Sequence, residues 1–170
     1  MGQWGNEAMG QWGNGEPASD RVLGTLVHRL FQQRAPVDDP LALQARVQWL
    51  MRDSDEPSEA PEQTAARAAE VYLAMRQRPD LMALLASGDV HYEVPFSLRL
   101  PGPDRVVRGQ IDGVVVPPDG PVVVVEFKTG RPHPGHEAQV SIYRQALAAV
   151  WPGRGVETRL FYFQAGNTAP

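Results

Sequence analysis

The chain has 170 residues and a mass of 18.7 kDa, is 42% hydrophobic and 21% charged, and carries a formal charge of −4 with no cysteine. That length supports one domain with its own core, and the missing cysteines exclude a disulfide framework, a thiolate zinc site and an iron–sulfur cluster. No apolar run approaches the ~20 residues of a membrane span and no signal-peptide pattern opens the chain, so a cytoplasmic protein without a membrane partner is expected. The negative balance argues against a surface basic throughout, but leaves room for a local basic groove.

Residues 1–18 read as a flexible leader, in which Met1-Gly2-Gln3-Trp4-Gly5-Asn6 recurs as Met9-Gly10-Gln11-Trp12-Gly13-Asn14. Two short copies make no repeat architecture. The domain proper is expected over 19–170, with a helical part at 19–87 and an αβ core at 88–165. A first helix starts at Ser19 or Asp20, either of which can cap it, and lines up Val22, Leu23, Leu26, Val27, Leu30 and Phe31 as one apolar stripe. His28 lies off that stripe, one turn after Gly24, which leaves room beside an imidazole. A surface histidine and a metal ligand are both open on this local pattern. A second helix covers 38–52, capped at Asp38 or Asp39, and the acidic run 53–59 is a solvated loop. A third runs from Pro61 to Arg78 with Ala65, Ala69, Tyr72 and Met75 inward, and a short one follows Pro79.

At Val90 the apolar period changes to two. Val90, Tyr92, Val94, Phe96 and Leu98 alternate with polar positions, and Pro95, which has no N–H, places this strand at an edge or at a bulge. After the Pro101–Asp104 turn a second strand covers Arg105–Val116, and Pro117-Pro118-Asp119-Gly120 leads into Val122–Val125, a strand apolar on both faces. A helix from about His136 to Trp151 and a last strand from Arg159 to Gln164 complete the order. Helices, three strands, helix and strand make an α/β domain with a mixed central sheet flanked by helices.

Three charges interrupt these strands. Asp112 sits among Ile111, Gly113, Val114 and Val115, while Glu126 and Lys128 end the valine run and share a face by alternation. Lys128 is the single lysine among sixteen basic residues. A strand-end ion pair is the plain account. The alternative is that carboxylates on adjacent strands hold a hard cation, Mg²⁺ or Mn²⁺, with Lys128 beside it to orient water and neutralise a phosphate. That alternative imposes a register. Opposed residues on antiparallel strands share a face, so Asp112 must oppose Glu126 or a residue of equal parity, which a plain four-residue loop forbids. An odd-length loop or a bulge is therefore expected, with Gly120 suited to its left-handed residue. On the following helix Gln139 falls in the inward stripe, one turn before Tyr143. It is either a satisfied core amide or, with the phenol, part of the wall of the site.

Gly24-x-x-x-His28, Glu93-x-Pro95-Phe96, Gly109-x-Ile111-Asp112, Val125-Glu126-Phe127-Lys128-Thr129-Gly130 and Gln139-x-x-x-Tyr143 follow one another in this order. Together they resemble the RecB-type branch of the PD-(D/E)XK nuclease superfamily, and most closely the nuclease domain that ends AddA- and UvrD-like helicase–nucleases. The resemblance implies a restriction-endonuclease-like core preceded by a helical segment. It implies that His28, Asp112 and Glu126, with the Phe127 carbonyl, bind Mg²⁺ or Mn²⁺, and that Lys128, Gln139 and Tyr143 join the carboxylates as active-site residues. Glu93 also falls on a family position and is read as supporting the ligands. Glu-Phe-Lys stands where many members have Asp-Tyr-Lys, which keeps both charges. The four cysteines that hold an iron–sulfur cluster in some relatives are absent.

The reading is a metal-dependent deoxyribonuclease, most simply an exonuclease, processing DNA ends in recombination or repair with a helicase in the same or another chain. Arg105, Arg108, Arg131 and Arg144 are the candidate contacts to DNA. Its rivals are a non-catalytic DNA-binding module with this fold and a freestanding nuclease acting on RNA or branched DNA.

Overall fold

A computed structural model describes residues 18–52, 60–101, 105–129, 132 and 134–163. The duplicated leader, the acidic loop, the centre of the 101–104 turn and Arg131 lie outside the described residues. Among the described residues nine elements follow one another: α1 (Ala18–Gln32), α2 (Pro40–Arg52), α3 (Pro61–Arg76), α4 (Pro79–Ala86), β1 (Asp89–Arg99), β2 (Val106–Val116), β3 (Val122–Thr129), α5 (Pro134–Val150) and β4 (Val156–Phe163). The four strands form one sheet in the order β1-β2-β3-β4, with β1–β2 and β2–β3 antiparallel. A helical crossover, the connection that parallel neighbours need, joins β3 to β4. This is the α/β class with a mixed sheet. β1 is an edge strand, as Pro95 requires. No described helix is long and apolar enough to cross a membrane.

Contacts divide the chain into two units. One contains Ser87–Glu126 and Pro132–Leu160, the other the helices up to Ala86 together with Phe127–Arg131 and the residues from Phe161. β3 and β4 thus each contribute residues to both.

In the helical unit the expected α1 stripe is buried in full, from Val22 to Phe31. α1 ends on Arg34, whose φ of 48° is left-handed, with the Ala35 N–H reaching back to the Leu30 carbonyl at 3.0 Å. Asp39 caps α2, its Oδ1 accepting from the N–H groups of Leu41 and Ala42, both at 3.0 Å. α3 stops at Arg76, two residues before the expected end, because Pro79 opens a separate helix. Its inner face is Ala65, Ala68, Val71, Tyr72 and Met75. Ala69 is only half-buried, a correction of one position in the expected stripe. The Tyr72 hydroxyl donates to the Ala35 carbonyl at 2.7 Å, which satisfies the one polar atom of a buried ring.

In the other unit Tyr143 and Leu147 of α5 pack into a core with Ile111, Val114, Val122 and Val124. The β2–β3 turn is held from outside. Arg154 donates from Nη2 to the Pro117 and Gly120 carbonyls at 3.0 and 2.7 Å, and Gly120 is left-handed at φ 83°.

Candidate metal centre

The pairing of β2 with β3 runs Val115↔Val123, Val114↔Val124 and Gly113↔Val125. One step further, Asp112 faces Glu126. This is the parity that places both carboxylates on one face, and it makes the turn a five-residue loop over 117–121 with Gly120 in the left-handed position. On the other side β1 pairs Tyr92↔Gly113 and Val94↔Ile111, so Asp112 also faces Glu93. The pairs thus bracket Glu93 on β1 and end one residue before Glu126 on β3.

Glu93 is held there by an unusual backbone. Its φ is 53°, in the middle of a strand and without the freedom of glycine. Such a conformation costs about 1–2 kcal/mol for a residue with a side chain. A carboxylate oxygen of Glu93 lies within 4.8 Å of one of Asp112, and the Gln110 amide Nε2 donates to the Glu93 carbonyl at 3.1 Å. Glu93→Gly is accordingly expected to be about 1 kcal/mol more stable than Glu93→Ala in metal-free protein, since only the former relieves the left-handed strain. Urea titration of the two variants checks this, and equal midpoints would remove the strain from the account.

Gly113 lets β2 and β3 come together beside Asp112. A Cβ at this position would sit 3.3 Å from the Val125 Cβ, tighter than ordinary packing. Glu126 itself is 2% exposed, a charged residue inside the core. Lys128 follows it by two residues on β3 and is half-buried.

Gln139 and Tyr143 meet on α5. The Gln139 amide donates to the Tyr143 hydroxyl at 2.7 Å, and that hydroxyl donates to the Gln110 carbonyl at 3.2 Å. Burial, then the neighbouring Glu126 and Asp112 charges, with Glu93 adding less, push the phenol well above its ordinary range. Tyr143 is thus a fixed proton donor that feels all three carboxylates. Gln110, bonded to both Glu93 and Tyr143, escaped sequence reading. Its one signal is its place two residues before Asp112, hence on the same face of β2.

Within the helical unit the His28 ring lies 5.8 Å from the Phe127 ring, so the candidate histidine is beside the residue that follows Glu126. Phe127 stacks on Phe31 at 4.4 Å, which fixes the end of β3. Of the candidate basic residues, Arg105 and Arg108 are exposed at and near the start of β2, and Arg144 on α5 donates to the Thr158 hydroxyl at 2.8 Å.

The Glu93 and Asp112 carboxylates, this close, repel each other. A divalent ion held by oxygens would relieve that repulsion.

Comparison with known proteins adds the lineage. A family model described as the PD-(D/E)XK nuclease superfamily matches residues 6–170. No curated protein matches the chain. Among solved structures, protein VC1899 from Vibrio cholerae aligns over 91% of this chain and 49% of its own, at 14% identity and a TM-score of 0.36. SSO0001 aligns over 91% of this chain and 75% of its own, at 18% identity and a TM-score of 0.37. The chain thus spans about half the length of the first of these. With a family match over nearly its whole length, the chain belongs to the PD-(D/E)XK nuclease superfamily.

Proposed function

We propose that this chain is a Mg²⁺- or Mn²⁺-dependent deoxyribonuclease that hydrolyses phosphodiester bonds. The observation that carries the proposal is the approach of Glu93 and Asp112 oxygens to within 4.8 Å, beside a Tyr143 phenol that also feels the buried Glu126. In this reading Asp112 and Glu126 hold the ion, with His28 and the Phe127 carbonyl as further ligands. Glu93 is near enough to Asp112 to take part directly. A bound divalent ion supplies a polarised phosphoryl oxygen and an acidified water.

The remaining steps belong to the side chains. Lys128, on the same side of β3 as Glu126, neutralises charge growing on the phosphate and orients the attacking water. Tyr143 and Gln139 keep the adjoining wall polar and in place, and the phenol holds its proton throughout. Attack in line with the leaving group releases the sugar 3′-oxygen and leaves the phosphate on the 5′ side of the next nucleotide.

The finer setting follows the RecB-type resemblance. We read 19–170 as one nuclease domain, related to those ending AddA- and UvrD-like helicase–nucleases, acting as an exonuclease on DNA ends in cytoplasmic recombination or repair. Arg105, Arg108, Arg131 and Arg144 are its proposed contacts to DNA, and a helicase is its proposed partner.

The test is cleavage of end-labelled single- and double-stranded DNA with Mg²⁺, with Mn²⁺ and with chelator. Metal-dependent loss of label from the ends is expected. Intact DNA under every condition, with metal-dependent cleavage of RNA instead, would overturn the choice of substrate. Cleavage of neither would leave the non-catalytic module as the better reading.

A further inference from the structure

Ile111 and Val114 are three residues apart on β2, yet both belong to the core that receives Tyr143 and Leu147 of α5. Regular alternation would send them to opposite faces. The faces of β2 therefore change over at Asp112 and Gly113, and β1 follows, since Val94 and Phe96 pack against that same core. The pairs Tyr92↔Gly113 and Val94↔Ile111 keep one register, so no residue is inserted at the changeover and the backbone must turn within it. On β1 the turn is made at Glu93, with its φ of 53°.

A residue with a side chain keeps a left-handed backbone only where its surroundings over-determine it. Here those surroundings include Gln110. Its amide Nε2 donates to the Glu93 carbonyl at 3.1 Å. Its own carbonyl accepts from the Tyr143 hydroxyl at 3.2 Å, and that hydroxyl accepts from the Gln139 amide at 2.7 Å. A line of hydrogen bonds thus runs from α5 through Gln110 to the turn at Glu93. Gln110 is exposed, so water would serve its amide equally well and the bond to Glu93 satisfies no buried group. What the bond does fix is the direction of one peptide carbonyl, and with it the backbone angles of Glu93. A carboxylate oxygen of that residue lies within 4.8 Å of one of Asp112.

We infer that Gln110 is a positioning residue of the metal centre: its amide holds the Glu93 carbonyl and so keeps the left-handed turn that brings the Glu93 carboxylate to Asp112. The inference rests on the metal-dependent reading for what the two carboxylates hold, and adds to it the residue that sets one of them in place. It requires that Gln110 act through Glu93. Without the Glu93 carboxylate, the amide has nothing to position.

The test uses the whole chain and four forms of it: native, Gln110→Ala, Glu93→Gln and the double variant. Mn²⁺ affinity is measured by calorimetry, and the backbone of Glu93 is followed in metal-free protein through its three-bond HN–Hα coupling, which is smaller for left-handed than for extended backbone. Gln110→Ala should weaken Mn²⁺ binding about 10-fold and raise the coupling, Glu93→Gln should weaken binding at least as much, and the double variant should bind no worse than Glu93→Gln alone. Losses that multiply in the double variant, native affinity in either single variant, or an unchanged coupling in Gln110→Ala would overturn the positioning role. Should the native chain bind no Mn²⁺, the metal-dependent reading falls, and the coupling still decides whether Gln110 sets the backbone of Glu93.

Discussion

Replacing Asp112 or Glu126 by alanine is expected to lower metal-dependent phosphodiester cleavage by at least about 100-fold, because charge stabilisation by a bound ion is worth several kcal/mol and each 1.4 kcal/mol is tenfold in rate. The fold should survive both changes. Neither side chain supplies the apolar packing of its strand; removing Asp112 relieves its repulsion with Glu93, and removing Glu126 takes a carboxylate out of a buried position. Metal-free Asp112→Ala and Glu126→Ala should therefore melt no lower than the native chain by more than ~1 kcal/mol, with Glu126→Gln as the variant that keeps the shape of the buried side chain. Turnover with Mg²⁺ and thermal melts with chelator read the two effects separately. Native turnover in either alanine variant would remove the carboxylates from the mechanism.

Phe127→Ala should do the opposite, with a loss of about 3–5 kcal/mol in stability and little effect on the chemistry of molecules that remain folded. The ring is 3% exposed. It stacks on Phe31 at 14° between planes, with His28 and Phe161 at centroid distances of 5.8 and 6.2 Å. Truncation leaves a cavity lined by aromatic rings that cannot all close on it. The proposed metal contact of this residue is its carbonyl, which alanine retains. Denaturant midpoints measure the loss, and metal affinity at low temperature checks the carbonyl. A loss under about 1 kcal/mol would mean that Phe127 is not a keystone of the helical unit.

What the sequence made legible was whatever local pattern carries. Four valines between a proline and charged residues identified a buried strand, Pro95 an edge, and the α1 stripe a helix face. The parity of the β2–β3 hairpin was narrower than that. Pro117–Gly120 alone is compatible with two registers, and only the demand that Asp112 and Glu126 share a face selected the one found. Glu93 shows where local pattern fails. Nothing in a glutamate within an alternating strand signals a left-handed φ, because the surrounding pairing imposes it. Gln110 was missed for a related reason: its partners, the Glu93 carbonyl and the Tyr143 hydroxyl, come from distant positions of the chain. The shift from Ala69 to Ala68 and Val71 on α3 reflects an alanine-rich helix, whose weak apolar contrast leaves its inward direction to its neighbours.

The passage of β3 and β4 through both units bears on the order in which this protein folds. α1, α2 and α3 are close in sequence, so their mutual contacts close early and at small entropic expense. The Phe31 ring, however, finds its stacking partner roughly a hundred residues downstream, at Phe127, and Phe161 arrives later still. During synthesis the helices must therefore wait, with their aromatic surface exposed, until the strands have been made. A chain cut after Ala86 would keep its helices but lose Phe127, Phe161 and Phe163 from their core, and is expected to be a sticky, loosely packed species rather than a free-standing domain.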